Sequence, residues 1–312
     1  MLTERTRDLI LMNRACLRLT AAFAALTLIA LPAAAAQRIL FVGNSFTFGA
    51  GSAVRFFHPE LVHDLNREGQ GGVPALFKIF TQQAGLDWDV SLETASGKDL
   101  AFHLANKRAE LAGTWDTVLL QDYSTLDRAK PGDAGTHIRD AGRMAALFRA
   151  GNPAVKIYLE TTWPRADQTY PANGHWHGKP IRAMADDLAR ANALALLNNR
   201  ELSGTAPVGE AWLRAFDQNV ADPNPYDGVA YGKLDLWTWD HYHASAYGYY
   251  LAALVIFGRV TGTDPRTLGE HERAADELGF SGLTTVALQR IAAEALAGKA
   301  EPNAALPRAG SR

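Results

Sequence analysis

A three-layer α/β/α sandwich around a central parallel sheet of five strands is the architecture this sequence predicts. Short apolar runs rich in Val, Ile and Leu recur along the chain, and near-continuous runs of this kind fit strands covered on both faces. Between them lie amphipathic stretches with apolar groups at helical spacing, and strands alternating with helices imply a parallel sheet. No internal repeat or low-complexity linker interrupts the pattern, so residues 37–300 read as one domain.

The elements follow in order. "RILFV" (38–42) is the first strand and runs abruptly into Gly43-Asn44-Ser45. A glycine-rich insertion, residues 49–72, separates it from a helix over 73–84, which stops at the glycine of "GLD". "DVSLET" (89–94) alternates and is the second strand; "DTVLLQ" (116–121) is the third. A helix over 136–150 leads to "VKIYLET" (155–161), the fourth. Residues 163–179, "WPRADQTYPANGHWHGK", form a second insertion whose aromatic and polar composition suits a binding loop or lid. A helix over 180–199 follows, then a short fifth strand within "APVGEAW" (206–212) and a helix over 244–259. The polar tail, 301–312, is expected to be disordered.

The 312 residues carry a net charge of −2 and are 47% hydrophobic, an ordinary globular composition. Near-neutral charge argues against nucleic acid as a partner, because phosphate binding needs a basic face. At the N-terminus, Arg14 and Arg18 precede "LTAAFAALTLIALPAAAA". A charged start, an apolar middle and an Ala-x-Ala ending predict a signal peptide over 1–36, cleaved near Ala36, and export to the periplasm or beyond. The apolar stretch is short for a membrane span, which needs roughly 20 residues, so no stable membrane insertion of the mature chain is expected. Cys16, the only cysteine, lies in this leader. The mature chain therefore has no thiol for disulfides, catalysis or metal binding. His175 and His177 in "HWH" lack a third ligand in the sequence, so no metal is assigned.

In an open parallel sheet, ligands bind beyond the carboxyl ends of the strands. The residues placed there are Asn44 and Ser45 after the first strand, Gly97 after the second, Gln121 after the third and Trp163 after the fourth. Near the C-terminus, "WTWDHYHASAYG" holds Asp240 and His243 three apart at the expected opening of the last helix, with His241 a competing imidazole. A serine hydroxyl needs a base within reach, and the base needs a group that fixes its tautomer. Ser45, His243 and Asp240 supply that set. The N–H groups of Ser45 and Gly97 and the Gln121 amide are candidate donors to an oxyanion. Asn44, Trp163 and Trp239 are assigned to substrate binding, since flat aromatic rings suit sugar faces and acyl chains alike.

These blocks resemble the SGNH hydrolase superfamily, the GDSL-like esterases and lipases. "GNSFT" matches the first block, Gly97 in "ASGKDL" fits the second, and "DHYH" with the following "ASAYG" fits the last. Gln121 stands where the third block normally has Gly-x-Asn-Asp, a departure that a longer amide arm could accommodate. The resemblance spans residues 38 to about 260. It implies a flavodoxin-like sheet, a Ser-His-Asp mechanism through an acyl-enzyme, small acyl esters as substrates and no cofactor. The exported location and the loop aromatics lean towards acetylated carbohydrate. A lipase or thioesterase acting on longer chains is the rival within enzymes; a catalytically silent glycan-binding protein is the rival from another class. The sequence gives no oligomeric state.

Overall fold

The computed structural model describes residues 35–298. The leader with Cys16 and the C-terminal tail lie outside the described residues. Six strands form one parallel sheet: β1 (Gln37–Gly43), β2 (His63–Asp64), β3 (Trp88–Thr94), β4 (Thr117–Leu120), β5 (Lys156–Glu160) and β6 (Gly204–Ala206), in the order β2-β3-β1-β4-β5-β6. The strand beyond the expected five is β2, a two-residue edge inside the first insertion, too short to show a periodicity. The expected fifth strand is displaced. Only Ala206 of "APVGEAW" belongs to β6; Pro207 has no N–H to continue a ladder. Val208–Asp217 is a helix that buries Val208, Ala211, Trp212 and Ala215 along one face.

The main helices are α1 (Ser45–Phe48), α2 (Gly72–Gln83), α3 (Leu100–Asn106), α4 (Gly135–Gly151), α5 (Arg182–Asn198), α6 (Val208–Asp217), α7 (Ala246–Thr261) and α8 (Gly282–Ala297). Side chains of β1 alternate between two cores, as a pleated strand requires. Ile39 and Phe41 join the core under α2, α6, α7 and α8; Leu40 and Val42 join the one under α3 and α4. This double burial explains the unbroken apolar run in the sequence. No helix among the described residues is long and apolar enough to cross a membrane.

The register brings the carboxyl ends of the strands to one rim. Gly43 pairs with Thr94, Val42 with Leu120, Leu120 with Leu159 and Glu160 with Ala206. Leaving aside the edge strand β2, the order is that of a flavodoxin-like sheet, and the chain departs from β1 towards β3 on one side and β4 on the other. The crevice of such a sheet opens where the order reverses, here between the ends of β1 and β4.

Candidate active site

β1 ends at a glycine because its neighbours leave no room for a side chain. A Cβ on Gly43 would lie 2.6 Å from Gln121 Oε1 and closer still to Thr47 Oγ1. Asn44 then caps α1: its Oδ1 accepts from the Phe46 N–H at 3.1 Å, while its Nδ2 donates to Lys98 O at 2.9 Å and to Asp122 O at 3.3 Å. With every side-chain polar atom engaged and 2% exposure, Asn44, expected at the substrate, braces the turn. Ser45 is the first residue of α1, so its N–H has no intrahelical acceptor. Its carbonyl accepts from Ala50 N–H at 3.0 Å and from the Tyr249 hydroxyl at 3.2 Å.

Asp240 and His243 sit in a loop whose base is closed by a Trp237–Ala244 bridge and by Thr238 N–H donating to His243 O at 2.8 Å. They precede the helix: α7 starts at Ala246, capped by Ser245. Asp240 Oδ1 accepts from the N–H groups of Tyr242 and His243, at 3.0 and 2.9 Å, and from the Thr238 hydroxyl at 2.8 Å. Its Oδ2 accepts from His243 Nδ1 at 2.6 Å. Burial opposes ionisation of this carboxyl, but the bonds from His243, Thr238 and Tyr242 outweigh it and hold Asp240 below its ordinary pKa. A carboxylate can only accept, so Nδ1 carries the hydrogen and Nε2 is the free, basic nitrogen. Among the described residues Nε2 has no hydrogen-bond partner, and the His243 ring lies 5.8 Å from that of Phe46, the residue after Ser45. Ser45 Oγ and His243 Nε2 are not hydrogen-bonded to each other; such bonds commonly tighten only when substrate is bound. His241 is bound differently, its ring 4.4 Å from Tyr226.

Gly97 occupies a turn closed by Lys98 N–H donating to Ala95 O at 3.1 Å, with φ +65°, a conformation that costs a side-chain-bearing residue strain. Its carbonyl accepts from Arg128 Nη2 at 2.6 Å. Among the described residues nothing accepts from its N–H. Gln121 departs from expectation. Its Oε1 accepts from Asn44 N–H at 2.8 Å and from the Thr47 hydroxyl at 3.1 Å, and its Nε2 donates to Asp122 O. At 1% exposure it sits behind the Ser45 turn. The Asn44 N–H fixes which way the amide points, so in this arrangement Gln121 braces the Ser45 turn.

Trp163, likewise expected at the substrate, is fully buried, stacked between Phe46 at 4.1 Å and Trp212 at 5.2 Å, and supports the turn from beneath. Trp239, next to Asp240, is 84% exposed and free to meet a ligand. His175 packs on Trp176, and His177 Nδ1 lies 3.0 Å from Tyr170 O.

Two contributors, Arg165 and His137, carry no signal in the sequence, while Asp122 stands beside Gln121 at the end of β4. Arg165 grips Asp167 with two nitrogens, donates to Ser124 Oγ at 3.1 Å and lies 3.6 Å over the Tyr242 ring. That ring is 4.1 Å from His243, so Arg165 steadies the histidine loop from behind. Asp122 and His137 form a further carboxylate–imidazole pair. In the sequence, Arg165 is one charged residue in a loop, and nothing in the spacing pairs Asp122 with His137. Beside that pair, a small cleft is lined by Asp122, Tyr123, His137, Glu160, Thr162 and Asn192. Burial pushes the Glu160 carboxyl up to about 8, so it is protonated at neutral pH.

No family model and no curated protein sequence matches the chain. Solved structures do. A DUF4886 family protein from Bacteroides uniformis aligns with a TM-score of 0.59 at 15% identity, over 84% of this chain and 95% of its own. A GDSL-like lipase candidate from Parabacteroides merdae aligns at 0.51 and 18% identity, over 72% of this chain and 95% of its own. At such identities the likeness speaks for architecture. The chain has the fold of the SGNH hydrolases, the superfamily its motif blocks resemble.

Proposed function

We propose that the protein is an exported serine esterase that hydrolyses small acyl esters through an acyl-enzyme. The observation that carries the reading is the Asp240–His243 pair, with Nδ1 fixed at 2.6 Å and Nε2 unpartnered, on a loop packed against the helix that begins with Ser45. Ser45 Oγ attacks the ester carbonyl and His243 Nε2 takes its proton. His243 then returns the proton to the leaving alcohol, and Asp240 holds the imidazole and stabilises its charged form. Water deacylates the serine by the same route. The uncommitted N–H groups of Ser45 and Gly97 receive the oxyanion.

Ser45 is 4% exposed, which favours a small acyl group, acetyl above all, over a long chain. The exposed rings of Trp239, Tyr226 and Tyr231 favour a carbohydrate as the alcohol part. The absence of a direct Ser45–His243 hydrogen bond favours one second reading, a silent glycan-binding protein on the same scaffold. A fluorophosphonate probe separates the two. The wild type is expected to label once, at Ser45, and to hydrolyse nitrophenyl acetate. Ser45→Ala is expected to lose both with an unchanged melting curve, since one oxygen leaves a turn held by other atoms. A folded wild type that neither labels nor hydrolyses would overturn the enzymatic reading.

A further inference from the structure

Among the described residues, the carboxylate–imidazole pairs include Asp240–His243, Glu93–His103 and Asp122–His137. The Asp122–His137 pair has no place in the proposed acyl transfer, yet it is bonded to several segments of the rim. His137 Nδ1 donates to Asp122 Oδ2 at 2.8 Å, with both side chains buried. Asp122 Oδ1 accepts from Leu100 N–H at 3.0 Å and from Tyr123 N–H at 2.7 Å. The Asp122 carbonyl accepts from Gln121 Nε2 and Asn44 Nδ2. Asn44 in turn donates to Lys98 O and, through its own N–H, to Gln121 Oε1.

Asp122 thus joins three rim segments: the Ser45 turn through Asn44, the start of α3 through Leu100, and the end of β4, while Asn44 adds the tie to Lys98. We infer that His137, from α4 on the Leu40/Val42 side of the sheet, is a positioning residue for the Ser45 and Gly97 N–H groups, acting through Asp122. The inference rests on the reading of Ser45 as nucleophile. Its physical basis is charge. A buried carboxylate must be matched by donors, and among the described residues the only side-chain donor to the Asp122 carboxylate is His137. Without it the buried carboxylate is short of a donor and swings towards water, which weakens its hold on Leu100 N–H. The segment carrying Gly97 is then free to shift against the Ser45 turn. Misplacement by about 1 Å costs on the order of 100-fold in such reactions.

The test compares His137→Asn with His137→Gln. The asparagine amide reaches the place of Nδ1 and keeps the donor to Asp122; the glutamine amide reaches the place of Nε2 and loses it. Gln is expected to lower kcat for nitrophenyl acetate by about 10- to 100-fold, with KM changed much less and fluorophosphonate labelling slowed in parallel. Asn is expected to recover most of the rate. Deuterium uptake by the peptides holding Ser45 and Gly97 is expected to rise in the Gln variant and not in the Asn variant. Equal rates and equal uptake in two folded variants overturn the inference. A wild type that does not label overturns the nucleophile reading instead, and the uptake comparison still decides whether His137 holds the two segments together.

Discussion

At Gln121 a single side-chain orientation separates two chemistries. Facing outwards, the amide would meet an oxyanion; facing the Asn44 N–H, it satisfies a buried backbone donor. Gln121→Ala is therefore expected to cost about 1–3 kcal/mol of stability, the usual penalty for orphaning a buried donor. Thermal melts check this, and an unchanged melting temperature with turnover lost would restore Gln121 as an oxyanion donor. Glu160 makes a pH prediction. Its carboxyl is neutral in the folded protein up to about pH 8 but ionises near its ordinary value once unfolded. Between those limits the folded state binds the extra proton, so stability falls as pH rises, at up to about 1.4 kcal/mol per pH unit. Glu160→Gln removes this dependence. The variant's melting temperature is expected to gain on the wild type's from pH 5 to pH 8, and parallel curves would show that Glu160 is ionised in the folded state.

The elements matter here through their ends. β1 delivers Ser45 because it lies inside the sheet between β3 and β4, which fixes its register on both sides. α7 reaches back to the same place: the buried Tyr249 hydroxyl donates to Ser45 O and, at 3.0 Å, to Ala50 O. It pins the nucleophile turn and the start of the first insertion to the helix that follows the histidine loop. Tyr249→Phe keeps the ring packing and removes the donor. A loss of about 0.5–1.5 kcal/mol is expected, seen as a melting temperature lower by a few degrees. No change in the melting temperature would mean that water replaces the hydroxyl. The misread fifth strand belongs to this scale as well. An apolar segment as short as "APVGEAW" does not declare its period, and the full helical face of α6 emerges only when residues to Asp217 are included.

Across the whole molecule, the site joins residues nearly two hundred positions apart, and its surroundings are asymmetric. Phe46, Trp163 and Trp212 stack beneath the turn, while Trp239, Tyr226 and Tyr231 stand exposed. If those exposed rings hold a sugar, Trp239→Ala raises KM for an acetylated oligosaccharide about 5- to 10-fold, close to the 1–1.5 kcal/mol of one aromatic stacking contact. It is expected to affect nitrophenyl acetate, which has no sugar to stack, markedly less. Equal effects on both substrates would remove the carbohydrate from the proposal.

The sequence by itself determined the parallel α/β sandwich, the position of Ser45 at a strand end and the Asp240/His243 spacing. Apolar periodicity and short-range spacing are local properties, and each was carried by contiguous residues. Only the tertiary structure decided what Gln121, Asn44 and Trp163 do. Their roles depend on atoms 54 to 78 residues away for Asn44 and Gln121, and on rings from α1 and α6 for Trp163. The same holds for the Asp122–His137 pair and for Arg165. A polar side chain's role is set by the direction of its hydrogen bonds, and that direction is fixed only once distant segments have packed around it.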